Sequence, residues 1–146
     1  MCTRVTSIPK EIRKPIIAYK VLETIHSYQE TIPSRLKSPY QFHEVQLGQL
    51  TKTTLSTKKF IAEFRKEYNA AKLKGQNLFV AEGAYHMYKT LEKAERYLQY
   101  SVNRVVVMCE VPAWSAVMNG TDLDNEVLVV NRYKPLKIIS THQNQY

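Results

Sequence analysis

The sequence predicts one α+β domain built on a mostly antiparallel, strongly twisted sheet with two helices. Its 146 residues are a usual size for a single domain. Short stretches rich in β-branched and aromatic residues recur between turn-forming residues, which is typical of strands. Two longer stretches repeat their apolar residues every three or four positions, which is typical of helices packed on a sheet.

The first strand of the core is predicted at residues 15–23, because this short run is rich in β-branched and aromatic residues. Residues 24–40 are polar and contain Pro33 and Pro39, which disfavour regular structure at the residues before them, so we expect a loop. In residues 42–47, positions 42, 44 and 46 alternate with positions 43, 45 and 47, and this two-residue period predicts a half-buried strand.

The first helix is predicted at residues 57–73. Ser56 or Thr57 can serve as its N-cap, and Gly75 fits its C-terminal stop. A brief strand is predicted directly afterwards, at residues 78–80.

The second half of the chain is predicted to hold one helix and three strands. The helix begins after an N-cap at Thr90 and runs to about Tyr100. Residues 104–111 are a continuous apolar run, so we expect a strand buried on both faces at the centre of the sheet. Two more strands are predicted at residues 126–130 and 136–139. Breaks between these elements are predicted at Pro112, at a turn formed by Asn119 and Gly120, and at Tyr133 with Pro135.

Composition narrows the class of protein and its compartment. No apolar run approaches the roughly 20 residues that span a bilayer, so no membrane association is expected. The N-terminus lacks the basic-then-apolar order of a secretory signal, which points to the cytoplasm. Residues 1–14 are interpreted as an extended N-terminal arm and residues 140–146 as a mobile tail.

The charge is positive and unevenly distributed. The formal net charge is +8, from 21 Lys and Arg against 13 Asp and Glu. Five basic residues lie in residues 1–20 against Glu11, and seven lie in residues 52–74 against Glu63 and Glu67. Such an excess favours association with polyanions, among them nucleic acid, acidic proteins and phosphorylated ligands.

Cysteine, histidine and the acidic residues give no strong metal or redox signature. Cys2 and Cys109 are too few for a disulfide scaffold, and Cys109 lies inside an apolar run, so both are interpreted as reduced thiols and Cys109 as a core residue. Asp122, Asp124 and Glu126 alternate and could gather a divalent cation, but a solvated acidic turn is the favoured interpretation. No zinc site is expected, because no second metal ligand lies at a suitable spacing from His26, His43, His86 or His142.

Ten tyrosines in a basic protein raise the possibility of base stacking beside cations, as in proteins that bind single strands. Tyr85 and Tyr88 are the candidates, with His86 between them. The alternative is structural, because tyrosine is frequent at the rim of a small core.

The stretch from Asp124 to Val130, followed by Tyr133 and Lys134, resembles the closing strands of ADP-ribosyltransferase folds. In those folds a catalytic Glu precedes an apolar strand. The resemblance implies an ADP-ribosyltransferase-like arrangement, and Glu126 takes the catalytic place.

Two further positions of that resemblance depart from the family. The stretch from Glu82 to Thr90 resembles the middle strand, where the family offers a Ser and this chain has Met87. The first-strand Arg or His that grips the dinucleotide falls at Lys20, and a lysine cannot hold a phosphate with two parallel hydrogen bonds as arginine does. The resemblance therefore supports the fold more than the activity.

Across about four-fifths of its length the chain is similar to a family of small uncharacterised proteins in phages of intestinal bacteria. The similarity rests on the order of short stretches such as Tyr19–Leu22, Tyr88–Glu92 and Val107–Pro112. It implies a phage setting, with the protein in the host cytoplasm or in the virion.

Three hypotheses for function follow from these observations. The leading one is a non-catalytic phage accessory protein, without a cofactor, that binds a phage or host protein assembly or a polyanion. The second is an enzyme that transfers or removes ADP-ribose from NAD, with Glu126 as catalytic residue and Lys20 with His86 on the dinucleotide. The third is single-stranded nucleic-acid binding through Tyr85 and Tyr88 beside the basic helix.

Overall fold

A computed structural model of the chain describes residues 3–26, 31–38, 43–80, 84–122 and 125–141. Within these ranges the fold is α+β, as predicted. Two helices are present, α1 (Thr57–Leu73) and α2 (Leu91–Glu95), and α2 continues as a 3₁₀ helix, Arg96–Tyr100. The strands are β1 (Thr3–Val5), β2 (Lys10–Glu11), β3 (Ile16–His26), β4 (Thr31–Lys37), β5 (Glu44–Gln46), β6 (Thr51–Lys52), β7 (Phe79–Val80), β8 (Tyr85–Tyr88), β9 (Arg104–Val111), β10 (Ala116–Asp122), β11 (Asn125–Val130) and β12 (Arg132–Thr141).

The strands form one curled sheet, and every pairing within the described residues is antiparallel. The strand order is β6-β12-β9-β3-β8-β11-β10-β1-β7. In addition, β2 pairs with β10, and β4 pairs with β3 and β5. β9 lies between β3 and β12, so it is an interior strand as expected, although β8 occupies the middle of the order.

The sheet branches at β3. One edge of β3 pairs with β9 from Ile16 to Glu23. Among the described residues, the other edge pairs with β8 at Tyr19 and with β4 from Glu23 onwards. Each stretch of a strand edge can pair with only one neighbouring strand. The sheet therefore forks between Tyr19 and Glu23, where the partner of β3 changes from β8 to β4.

Apolar side chains cover both faces of the sheet. On one face the helices contribute Phe60 and Leu98, which pack against strand residues such as Val129. On the other face the curled sheet and β4 and β5 enclose a second cluster that includes Leu36 and Tyr133. The odd-numbered residues of β9 from Val105 to Val111 enter the second cluster and Val106 enters the first, which explains its largely apolar sequence.

Both helices begin at the predicted caps. The Ser56 hydroxyl accepts a hydrogen bond from the Lys59 backbone N–H, and α1 is followed by Gly75 in the left-handed conformation, with φ of 65°. The Thr90 hydroxyl caps α2 in the same way, through the Lys93 N–H. Within the described residues, no helix has the length and apolar character that a membrane crossing requires.

The prediction of a loop over residues 24–40 is wrong for much of that range. β3 extends to His26, and β4 occupies Thr31–Lys37 with Pro33 inside it. A proline lacks the N–H that a regular ladder needs, but the β3–β4 register shifts between Thr24 and His26, so the pairing is irregular on this side. Pro39 lies outside the described residues.

The predicted turn at Asn119 and Gly120 is also wrong, because both residues lie within β10. Gly120 is required there by the close approach of β1. A Cβ at this position would lie 2.8 Å from Thr3 Cγ2 and 2.9 Å from the Arg4 backbone oxygen. The glycine therefore indicates tight strand packing and not a turn.

The predicted break at Tyr133 and Pro135 is likewise absent, since β12 runs continuously from Arg132 to Thr141. Its register against β9 shifts between Pro135 and Lys137, and this irregularity accommodates the proline.

Residues 1–14 are not separate from the sheet where they are described. β1 pairs with β10 and β7, β2 pairs with β10, and Val5 is buried in the helix-side core. Ser140 and Thr141 belong to β12. Several residues named in the sequence predictions lie outside the described ranges: Cys2, Phe42, Glu82, Gly83, Asp124 and residues 142–146.

Candidate functional site

The fork in the sheet is bridged by a buried lysine. Lys20 lies between Tyr19, where β3 pairs with β8, and Glu23, where β4 begins to pair. Its Nζ donates a hydrogen bond to the His86 backbone oxygen at 3.0 Å, and the residue is 2% exposed. A side-chain ammonium thus satisfies a carbonyl where β3 and β8 diverge.

The Lys20 ammonium is held among apolar and aromatic groups. Burial lowers the pKa of Lys20 from 10.5 to about 8, and Cys109 partly opposes this change. The Nζ lies 5.5 Å from the centre of the Tyr133 ring, a favourable cation–π contact. No carboxylate pairs with it within the described part of the chain.

Three aromatic residues link Lys20 to a pocket. His43 Nε2 lies 3.1 Å from the Tyr133 hydroxyl. Tyr85 contacts both rings, with centroids 5.0 Å from His43 and 5.1 Å from Tyr133. Burial, and then the charge of Lys20, lower the pKa of His43 to about 4, so its ring is neutral near pH 7. The pocket measures about 510 Å³ and is lined by His43, Glu44, Val45, Gln46, Gln49, Leu50, Thr51, Lys52 and Tyr85.

The four residues predicted to bind a ligand do not form one surface. Lys20 and His86 are joined by the hydrogen bond to the His86 backbone, and Tyr85 is connected to Lys20 through Tyr133. Tyr88 instead lies in the helix-side core, where its ring stacks on Tyr97 at 4.9 Å. The rings of His86 and Tyr88 are in edge-to-face contact. Burial lowers the pKa of His86 to about 3.

Glu126 lies near the start of β11 and is exposed, with 68% of its side chain accessible. Its carboxylate lies 3.9 Å from Lys89 Nζ. The next residue, Val127, pairs with Tyr88, which in turn pairs with Tyr19. The strands of Glu126 and Lys20 are therefore two strand spacings, about 10 Å, apart, with Glu126 at the surface and Lys20 buried.

Asp122 and Glu126 lie on two paired strands, β10 and β11, and not along one strand. Asp122 is buried, and burial raises its pKa, so it is not a solvated residue. No group of three metal-ligating side chains occurs among the described residues. Cys109 is buried as predicted, and burial raises the pKa of its thiol to about 12, which makes it a core residue.

The two basic segments of the sequence meet in the fold. Arg4 of β1 and Lys72 of α1 line one pocket of about 200 Å³, together with Tyr68. The Tyr68 hydroxyl donates to the Thr6 backbone oxygen at 3.4 Å and ties α1 to the N-terminal segment. The other lining residues are Val5, Thr6, Ala71, Gln76, Asn77 and Leu78, so this pocket has two cations and no carboxylate among its described residues.

Sequence reasoning found Lys20 and Tyr85 but missed their partners His43 and Tyr133, and it did not bring Arg4 and Lys72 together. One signal was available, because Lys20 lies inside the apolar run of residues 15–23, and a lysine that is buried in such a run needs a polar partner. Partners distant in sequence carry no such local signal.

A scan against protein-family models, a search of the curated proteins and a search of the solved structures each returned no match. The comparisons therefore assign no family to this α+β fold.

Proposed function

We propose that this protein is a non-catalytic phage accessory protein that binds a polyanion, either a free polymer or the anionic surface of a phage or host assembly. The observation that carries the proposal is the meeting of Arg4 and Lys72 in one pocket free of carboxylates. A net charge of +8 supports it, because long-range attraction raises the association rate with anionic partners. The protein would act in the host cytoplasm or in the virion.

The cations that surround this pocket are available to a partner. Arg4 and Lys72 are exposed, and neither forms an ion pair within the described ranges. An ammonium or guanidinium in this state can exchange its water and counterions for phosphates, which gives binding that weakens as salt is added. The exposed basic residues of α1 and its C-terminal end are Lys58, Lys59, Arg65, Lys66, Lys72 and Lys74.

Titration with inorganic polyphosphate over a series of salt concentrations tests this proposal. The double variant Arg4→Gln with Lys72→Gln should weaken binding and reduce the slope of log affinity against log salt by about 2. The control is Lys52→Gln with Lys137→Gln, which removes the same charge from exposed positions at the other end of the strand order. Equal loss in both variants, or no binding by the parent protein, would contradict the proposal.

The second candidate is an enzyme that transfers or removes ADP-ribose, with NAD as its substrate and Glu126 as the catalytic residue. The proximity of Glu126 to the fork that holds Lys20 supports it, because a dinucleotide could contact both strands. The buried state of Lys20 counts against direct contact with a phosphate, since its Nζ is already engaged by the His86 oxygen.

A further inference from the structure

The turn between β9 and β10 presents a tryptophan in an unfavourable backbone conformation. Trp114 has φ of 67°, and within the described residues it is the only residue other than glycine with a positive φ. The Ser115 N–H bonds to the Pro112 oxygen, so Trp114 occupies the third position of a four-residue turn, where a positive φ normally requires glycine or asparagine. The residue is nevertheless 55% exposed.

The side chains of Ser115 and Arg132 hold the turn in place through hydrogen bonds. The Ser115 hydroxyl donates to the Pro112 oxygen at 2.6 Å and accepts from Arg132 Nε at 2.9 Å. Arg132 Nη2 also donates to the Ala113 oxygen at 2.7 Å. Because surrounding groups hold a strained conformation at an exposed aromatic residue, a functional explanation is favoured over a packing one.

Basic residues lie next to the turn that carries Trp114. The Trp114 backbone N–H donates to the Ile12 backbone oxygen at 2.7 Å, which places the exposed residues Arg13 and Lys14 next to the turn. The nearby pairing of β2 with β10 also brings Lys10 and Glu11 to this edge, so residues 10–14 carry three positive charges and one negative charge.

The same strand connects this turn to the basic pocket. Glu11 pairs with Ala116 of β10, and Arg4 pairs with Thr121 of the same strand. Five residues of a strand span about 17 Å, so one extended polymer could contact both Arg4 and the turn.

We infer that Trp114 stacks on a base of a single-stranded nucleic acid whose phosphates are bound by Arg13 and Lys14. The inference rests on the proposed polyanion binding and names the class of polyanion. An exposed indole on a turn flanked by basic residues offers what a single strand needs, a π-face for the base and charge for the backbone. A duplex keeps its bases stacked inside the helix, so they cannot stack on Trp114. A polyanion without bases, such as polyphosphate, has no group that could stack on the indole.

Fluorescence titration tests the inference directly, because Trp114 is the only tryptophan of the chain. We expect single-stranded oligothymidylate to quench the emission of the full-length protein, whereas inorganic polyphosphate and a duplex of equal length bind without comparable quenching. Binding of all three without quenching would overturn the inference while leaving polyanion binding intact. Failure of all three to bind would overturn both.

Affinity measurements on variants provide the second readout, with a labelled oligothymidylate. Trp114→Gly suits the positive φ, and we expect it to lower affinity for oligothymidylate between about 5-fold and 150-fold while leaving affinity for polyphosphate unchanged. Trp114→Phe keeps an aromatic ring, so it should lower the affinity for oligothymidylate by less than Trp114→Gly does. Tyr100→Ala, which removes another well-exposed ring, serves as the control. If Trp114→Gly leaves the oligothymidylate affinity unchanged, the exposed indole serves a different partner, such as a protein, and the inference fails.

Discussion

Lys20 donates a hydrogen bond from Nζ to the backbone oxygen of His86, 3.0 Å away, across the fork between β3 and β8. The bond joins β3 to β8 beside Tyr19 and Tyr88, the pair at which the two strands meet. It also holds the ammonium of Lys20, a residue that is 2% exposed, beside the ring of Tyr133. Burial, and then this positive charge, lower the pKa of His43, so the buried lysine contributes to the ionisation of the neighbouring pocket.

The first prediction concerns alkaline pH and Lys20. Its pKa falls from 10.5 to about 8 on folding, so between these values the unfolded chain binds more protons than the folded protein. The contribution of Lys20 to the free energy of unfolding must therefore rise with pH between pH 8 and pH 10.5, by up to roughly 3 kcal/mol. Chemical denaturation of the parent protein and of Lys20→Met, compared from pH 8 to pH 10.5, measures it. A constant difference between the two proteins over that range would contradict the lowered pKa.

The second prediction concerns acidic pH and His43. Its pKa in the folded protein is about 4, against an ordinary value of 6.5, so the unfolded chain takes up protons first as the pH falls below 6.5. Stability should decrease between pH 6.5 and pH 4, and we expect His43→Gln to reduce that decrease by about 1–2 kcal/mol, because the ring is only partly buried. Thermal unfolding at several pH values would show the effect, and an identical pH profile for both proteins would argue against it.

The third prediction separates the enzymatic alternative from the binding proposal. Under the non-catalytic proposal, calorimetric titration with NAD and with ADP-ribose at moderate salt yields no heat of binding. Micromolar binding that Glu126→Gln weakens would instead support the enzyme. Glu92→Gln is a suitable control, because Glu92 is an exposed carboxylate that also pairs with a basic side chain, Arg96.

The fourth prediction concerns packing at Gly120. The Cβ of Gly120→Ala would meet the Arg4 backbone oxygen at 2.9 Å, and backbone cannot move aside as a flexible side chain can. We expect a loss of about 1–3 kcal/mol in the free energy of unfolding. Asn119→Ala, at the exposed neighbouring position, is the control for strand propensity. Equal stability of the two variants would mean that β1 does not pack closely on β10.

The fifth prediction concerns the strain at Trp114. Replacement by glycine relieves the positive φ, so Trp114→Gly should raise the free energy of unfolding by about 0.5–1 kcal/mol. Trp114→Ala keeps a Cβ in the same conformation and should not be stabilised. Urea denaturation of both variants tests this, and a clear loss of stability in Trp114→Gly would show that the indole contributes to the core.

Local signals account for the elements that were predicted correctly. α1 begins at the Ser56 cap and ends before Gly75 because capping and helical periodicity act over three or four residues. The apolar run of β9 likewise indicates a strand buried on both faces, whatever its neighbours are. Gly120 and Pro135 were misread because the same residues serve turns in one context and close packing or an irregular ladder in another.

By itself the sequence determined the α+β class, the helices, the strong strands, the positive charge and the candidacy of Lys20 and Tyr85. Only the tertiary structure decided that Lys20 bridges a fork, that His43 and Tyr133 surround it, and that Arg4 meets Lys72. The physical reason is the range of the forces involved. Propensity, capping and periodicity act between near neighbours in the chain, whereas Lys20 and His86 are 66 residues apart and meet only because of how the strands pair.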